Sequence, residues 1–329
     1  MFKIILFIFI ITVANDLNAA QSDKQQSKES LTSTWEPPAG LMQIPIWPNG
    51  APNMTGGLQR TETLQAKEPP EVKPGRAYIQ ILDVTKPTMT VFPPKGENTG
   101  VSMVVFPGGG FRILAIDLEG TEICDWVTSK GITCILLKYR VPKGNHYWDK
   151  NCKCHITPKF PLALQDAQRT IKLVRSKAKE WNIDPNKIGV IGFSAGGYLV
   201  AQTSNIFKST YSPVDSADKL SSRPDYAIAL YPGHLCRAGG TFDPSIRVTQ
   251  QTPPTFLLQA WDDPVDNICN STMYARALSN AGVQAEVHLF AKGGHAFGLR
   301  GNAHPISTWT ALVESWLRDI EILPPSVPR

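Results

Sequence analysis

The chain has 329 residues, 42% of them hydrophobic, and a formal charge of +5 at pH 7. That length suits one α/β core rather than two. The basic residues are spread along the chain without a Lys/Arg block, so the charge bears on solubility and gives no ground for nucleic acid as a partner.

Residues 1–20 read as a signal peptide. Lys3 supplies the positive start, Ile4 to Val13 the apolar run, and Ala19 and Ala20 a small-residue cleavage zone. An apolar run of about ten residues is too short for a bilayer core of roughly 30 Å, so no permanent membrane anchor is expected. No Cys stands at the cleavage zone, which argues against a lipoprotein. The product is expected to be exported, periplasmic or extracellular. Residues 21–38 lack periodicity and read as a disordered linker, leaving 39–329 for the folded domain. Ile44-Pro45-Ile46-Trp47-Pro48 opens ordered structure, and 51–75, rich in Pro, Gly and Thr, reads as mobile.

Regular alternation begins at Ala77. Residues 77–84 and 89–92 read as antiparallel strands, and 101–106 as a strand entering the sheet. Residues 119–129 are predicted helical, with Ile123, Trp126 and Val127 on one face. Residues 132–139 form a buried strand and 162–181 a long amphipathic helix. Further strands are predicted at 187–191, 226–230, 256–261 and 285–290. The remaining helices start at 198 and span 270–281 and 307–320. Strands alternating with helices predict an α/β fold, with a mostly parallel sheet and helices on both faces.

Three stretches carry chemistry. The first is Gly192-Phe193-Ser194-Ala195-Gly196-Gly197, between a β-branched strand and a helix. Strand, sharp turn and helix is the setting of a G-x-S-x-G nucleophile elbow, which lifts the Ser194 hydroxyl clear of the sheet. The second is Val104-Val105-Phe106-Pro107-Gly108-Gly109-Gly110-Phe111, where glycines let backbone N–H groups face outward. Gly109 or Gly110, together with Ala195, would supply the oxyanion donors. A phosphate loop is disfavoured because no Gly-Lys-Ser/Thr follows. The third is Asp262-Asp263-Pro264-Val265 followed later by Gly293-Gly294-His295. Ser, Asp, His is the chain order of a hydrolase triad, so Ser194 is the expected nucleophile, His295 the base and Asp263 the orienting acid. Asp262 should point the opposite way, and Asp266 reads as a free acid flanking the next helix.

The long stretch 142–161 holds His146, Tyr147, Trp148, Cys152, Cys154 and His155, and is expected to wall the site through its aromatics. Cys152-x-Cys154-His155 lacks the spacing and fourth ligand of a zinc site, so no metal is expected, and the triad needs no cofactor. Six cysteines in an exported chain predict disulfides, with Cys152 or Cys154 joined to Cys236 or Cys269. Cys124 and Cys134 read equally well as buried thiols. Asp117 and Glu119 read mainly as helix N-terminal acids. Arg140 and Asp166 are expected to pair, and Phe111, Trp148 and His234 are the candidate substrate contacts.

With these motifs the chain resembles secreted bacterial α/β-hydrolases of the acetyl-xylan-esterase-like group, members of which are often labelled xylanases. The resemblance rests on Pro107 to Phe111, Leu114 to Gly120, Leu137 to Pro142, the elbow, Tyr231 to Leu235 and Gly293 to Arg300, and covers roughly residues 44–320. Related esterases usually carry His where this chain has Pro107. The resemblance implies a serine carboxylic ester hydrolase that removes acetyl or other small acyl groups from xylan-type carbohydrate through an acyl-enzyme. A serine peptidase or a dienelactone-type lactone hydrolase is the alternative, and a protein that kept the fold only to bind is a third reading. A glycosidase would need paired carboxylates across a sugar cleft, which no motif organises better than the triad. The expected partner is a small-molecule or oligosaccharide ester.

Overall fold

The computed structural model describes residues 34–54, 61–67, 77–142, 147–149, 154–156, 161–301 and 303–325. The expected signal peptide and most of the expected linker fall outside them. The linker reading fails at its end, however. Trp35 is buried in the core, and its carbonyl accepts a hydrogen bond from Gln43 Nε2 at 2.8 Å.

Eight strands form the main sheet: β1 (Gln43–Pro45), β2 (Thr88–Phe92), β3 (Ser102–Phe106), β4 (Thr133–Lys138), β5 (Ile188–Phe193), β6 (Tyr226–Leu230), β7 (Thr255–Ala260) and β8 (Ala285–Phe290). Their order across the sheet is β1-β2-β4-β3-β5-β6-β7-β8. The two joins that involve β2 are antiparallel and the remaining five are parallel. Strands β3 to β7 are buried at every position. This is why they read as largely apolar or β-branched runs, with Ser102, Lys138 and Gln259 the polar exceptions: a parallel strand covered on both faces has no polar side to show.

Helices α1 (Glu122–Ser129), α2 (Pro161–Ser176), α3 (Ala195–Thr203), α4 (Cys269–Asn280) and α5 (Trp309–Asp319) complete the fold. The chain moves one way across the sheet from β3 to β4 and the other way from β4 to β5. Right-handed crossovers then put α1 and α2 on opposite faces. On the α1 face lies α5, where the Trp126 and Trp309 rings meet at 5.0 Å and Trp126 Nε1–H donates to Glu314 at 3.2 Å. The reversal also makes the C-terminal ends of β3 and β5 a topological switch point, where a crevice opens in α/β sheets. The glycine loop leaves β3 and the Ser194 turn leaves β5 at that point.

Three local expectations change. The strand Tyr78–Leu82 does not pair with β2; it pairs with Thr63–Lys67 and Ile113–Ala115 in a separate antiparallel sheet. The segment read as mobile therefore contributes a paired strand. The amphipathic reading of α2 also fails, because its polar side is buried. Asp166 meets the Arg140 guanidinium and accepts from Trp47 Nε1 at 2.7 Å, while Arg169 pairs with Asp215 and Asp218. Segments far away in sequence, around Trp47 and Asp218, cover that side. Within 142–161 the backbone of Tyr147–Asp149 pairs antiparallel with Cys154–Ile156. The side chain of Trp148 lies outside the described residues.

Candidate active site

The elbow follows from backbone crowding. Ser194 adopts φ 53° and ψ −118°, and α3 begins at the next residue. A Cβ at Gly196 would lie 2.0 Å from the Phe106 carbonyl oxygen, and one at Gly192 would lie 2.1 Å from the Gly196 carbonyl oxygen. Only glycine admits so close an approach of strand, turn and helix. The turn is fixed by Ser194 N–H donating to Leu230 O at 3.1 Å, and by Tyr198 and Gly233 N–H donating to Ser194 O at 3.1 and 3.2 Å. Phe111, Ser194, Tyr231, His234 and Ala296 all have positive φ. Each is a non-glycine residue on a loop beside the crevice, where backbone strain tends to collect at working sites.

The candidate acid and base come from the loops after β7 and β8. Asp263 Oδ1 accepts from the N–H groups of Val265 and Asp266 at 2.9 Å each, which curls the loop into a tight turn. Its Oδ2 lies 2.8 Å from His295 Nδ1 and accepts from Gln259 Nε2 at 3.3 Å. Asp262 points elsewhere: its Oδ1 accepts from Gly293 and Gly294 N–H at 2.9 Å each and ties the two loops together. Burial disfavours a charge on His295, but Asp263, Asp266 and Glu119 outweigh it and hold the imidazole pKa above its ordinary value.

The glycine loop rests on a carboxylate that sequence reading assigned to a helix start. Glu119 is fully buried; its Oε2 accepts from Gly108 N–H at 2.7 Å and its Oε1 from the Tyr231 hydroxyl at 2.9 Å. Burial pushes its pKa up, against the pull of His295, Tyr231 and Gly108. The Tyr139 hydroxyl donates to Pro107 O from the other side. Glu119 and Tyr139 thus hold the glycine loop from two sides. Gly108 N–H is committed to Glu119, so the N–H groups of Gly109 (φ 128°) and Gly110 (φ 61°), with that of Ala195 at the start of α3, remain the candidate oxyanion donors.

Asp266 was expected to flank α4, and the structure brings it to Ser194 instead. Its Oδ2 accepts from Ser194 Oγ at 3.3 Å and lies 3.8 Å from His295 Nε2. Burial pushes its pKa up to about 6, with Asp263 adding to the rise and His295 and Ser194 opposing it. The turn made by Asp263 folds Asp266 back toward the nucleophile. The only signal in the sequence was a third Asp within five residues.

Among the expected substrate contacts, Phe111 is turned inward at 1% exposure. Its ring packs on Tyr139, Tyr198 and His234, so it supports the loop rather than lining a surface. His234 is half-buried, 5.9 Å from Phe111 and 5.7 Å from Tyr198 between ring centroids. The disulfides also differ from expectation. Cys236 pairs with Cys269 and Cys124 with Cys134, so neither Cys236 nor Cys269 can hold the 142–161 segment. The Cys236–Cys269 bridge staples a short hairpin to α4. Beside that hairpin a cavity of about 450 Å³ is lined by Arg237, Thr241, Asp243, Pro244 and Ser245. Asp243 also accepts from the Tyr198 hydroxyl at 2.7 Å, one helical turn beyond Ser194.

Residues 162–320 match the model of the prolyl oligopeptidase family, a span that includes Ser194, Asp263 and His295. The chain is 28% identical over 299 residues to an acetylxylan esterase of Xylanibacter ruminicola, covering 84% of this chain and 54% of that one. The chain thus spans about half the length of that relative. It is 30% identical to the solved acetyl ester-xyloside bifunctional hydrolase from Caldicellulosiruptor lactoaceticus, with a TM-score of 0.65, covering 86% of this chain and 97% of the other. The propionate-bound esterase Est2 of Thermogutta terrifontis, 22% identical with a TM-score of 0.60, covers 74% of this chain and 93% of its own, and shares the fold. The chain belongs to the α/β-hydrolase superfamily, in its acetyl-xylan-esterase-like group.

Proposed function

We propose that this protein is a serine carboxylic ester hydrolase that removes acetyl or similarly small acyl groups from xylan-type carbohydrate. The reading is carried by one constellation: His295 Nδ1 at 2.8 Å from the buried Asp263 carboxylate, on the strand-end loops that face the elbow bearing Ser194. In this reaction His295 Nε2 accepts the Ser194 hydroxyl proton as Oγ bonds to the acyl carbon. Asp263 accepts from Nδ1–H and stabilises the imidazolium that forms. Ala195 N–H and the Gly109 or Gly110 N–H bind the oxyanion. Collapse of the tetrahedral intermediate breaks the bond to the alcohol oxygen, which takes the proton from Nε2. Water, deprotonated by His295, then attacks the acyl-enzyme; the acid departs and Ser194 regains its proton.

The sugar-ester assignment is supported by the names of the relatives, which describe acetylxylan and acetyl ester-xyloside substrates for those proteins. The xyloside activity in the second name is not carried over. It would need two carboxylates flanking a glycosidic bond, whereas Glu119 is enclosed under the glycine loop and Asp263 is committed to His295, which leaves Asp266 as a single carboxylate beside Ser194. A peptidase reading draws on the family model's name alone. Export is proposed on the N-terminal pattern around Lys3 and Ala19, and the two disulfides among the described residues support an oxidising compartment.

The test is a panel of aryl esters of rising acyl length, followed by acetylated xylan and an acyl-peptide substrate. Release of acetate from the xylan, with aryl acetate preferred over longer chains, is the expected result. Cleavage of the peptide without release of acetate would overturn the proposal.

A further inference from the structure

A carboxylate that the triad does not use stands at the nucleophile. Asp266 Oδ2 faces both Ser194 Oγ at 3.3 Å and His295 Nε2 at 3.8 Å. The side chain is 18% exposed, and a Cβ at Gly233 would lie 2.7 Å from Asp266 Oδ1, so glycine there makes room for it. The backbone of Asp266 is held at both ends: its N–H donates to Asp263 Oδ1 at 2.9 Å and its carbonyl accepts from Gln259 Nε2 at 2.6 Å. The carboxylate is therefore aimed by the same turn that aims the orienting acid.

The departing alcohol oxygen must take its proton from His295 Nε2. The alcohol part of the substrate then passes beside Asp266 Oδ2, the oxygen that faces that nitrogen. An ionised carboxylate offers only acceptors, so the complementary group on the alcohol is a hydroxyl. Resting on the esterase reading above, we propose that Asp266 is a specificity-determining residue that selects alcohols carrying a free hydroxyl next to the ester oxygen, as partly acetylated sugars do. Such a substrate replaces the Ser194 hydroxyl as donor to Asp266 when Ser194 turns to attack. An ester without that hydroxyl leaves buried lone pairs unpaired, and sites built around a substrate hydroxyl discriminate strongly for that reason.

The charged and titratable neighbours give a second readout. Asp263 and His295 face Asp266, and Asp263, Asp266 and Glu119 together hold the His295 pKa up. Neutralising Asp266 should therefore move the acid limb of kcat/KM to lower pH, which a purely structural role would not do.

The test compares kcat/KM for a xyloside acetylated beside a free hydroxyl, the same compound with that hydroxyl O-methylated, and an aryl acetate. At about pH 8 the wild type should favour the free-hydroxyl ester over its methyl ether by at least about tenfold. Asp266→Ala should reduce that ratio to within about threefold, and so should Gly233→Ala, which keeps the charge but displaces the carboxylate. Asp266→Asn should shift the acid limb measured with the aryl acetate, and circular dichroism would report that each variant is folded. A ratio preserved in Asp266→Ala, or absent from a wild type that cleaves aryl acetate, overturns the proposal and leaves the esterase reading standing. A wild type inactive on every ester overturns both.

Discussion

Asp262, Asp263 and Asp266 share one turn and meet three different sets of partners. Asp263 orients His295, so Asp263→Asn should lower kcat on an aryl acetate by on the order of 10⁴, through the wrong imidazole tautomer. Asp262 accepts from two glycine N–H groups, which an amide oxygen can also do, so Asp262→Asn should cost under about tenfold. Measuring both variants side by side checks the assignment. Glu119 acts one step further out. Glu119→Ala would leave Gly108 N–H and the Tyr231 hydroxyl without their acceptor inside the protein. The glycine loop then loses its support, and kcat should fall by about 10²-fold with a smaller change in KM, the scale of one lost oxyanion donor. Glu119→Gln should recover most of that loss, because its oxygen can still accept from Gly108 while the Tyr231 hydroxyl turns to accept from the amide. Equal losses in the two variants would assign Glu119 to some other role.

Elements that announce themselves in sequence are those whose neighbours matter least. Strands β3 to β7 are buried on both faces whatever packs on them, so their apolar runs were legible, as were the glycines of the elbow and the loops that follow the strands. What could not be read are the relations between distant segments. The polar side of α2 looks solvated until Trp47 and Asp218 cover it, and Tyr78–Leu82 chose partners from another sheet. Asp166 and Arg140 show what this means energetically. Both side chains are fully buried, and Asp166 also accepts from Arg140 N–H at 2.9 Å. Asp166→Ala should destabilise the protein by about 3–5 kcal/mol, because it leaves an unpaired buried guanidinium, and urea denaturation measures it. The disulfides follow the same rule, since the pairing of Cys236 with Cys269 depends on how the hairpin meets α4. Non-reducing peptide mapping should find Cys236–Cys269 and Cys124–Cys134. The first of these closes 33 residues and should contribute about 3–4 kcal/mol.

For the molecule as a whole, the site is a place of stored destabilisation. The pKa of Asp266 is pushed up from 3.8 to about 6 by burial. The folded protein therefore holds that proton more tightly than the unfolded chain, and ionising Asp266 opposes folding. The penalty is absent below the unfolded pKa, grows as pH rises, and is complete above about 6, reaching at most about 3 kcal/mol. His295 runs the other way: its raised pKa stabilises the fold at low pH, and that gain is lost as pH rises through the folded value. Asp266→Asn removes the carboxylate penalty, so at about pH 8.5 the variant should melt several degrees above wild type. Near pH 4 the advantage should vanish. A variant less stable than wild type at the higher pH would contradict the buried charge. The C-terminal ends of β3 and β5 were marked in the sequence as the candidate site by the glycines that follow them, whereas the strand order that opens a crevice there, and the places of Glu119 and Asp266, became visible only when the chain closed. The central claim is that Ser194 carries the acyl group, and the most direct measurement is covalent labelling with a fluorophosphonate, mapped by peptide mass spectrometry. A single adduct on Ser194, with loss of ester hydrolysis in proportion to labelling, is the expected result. Full activity in a protein labelled at Ser194, or labelling of another serine that tracks the loss of activity, would contradict it.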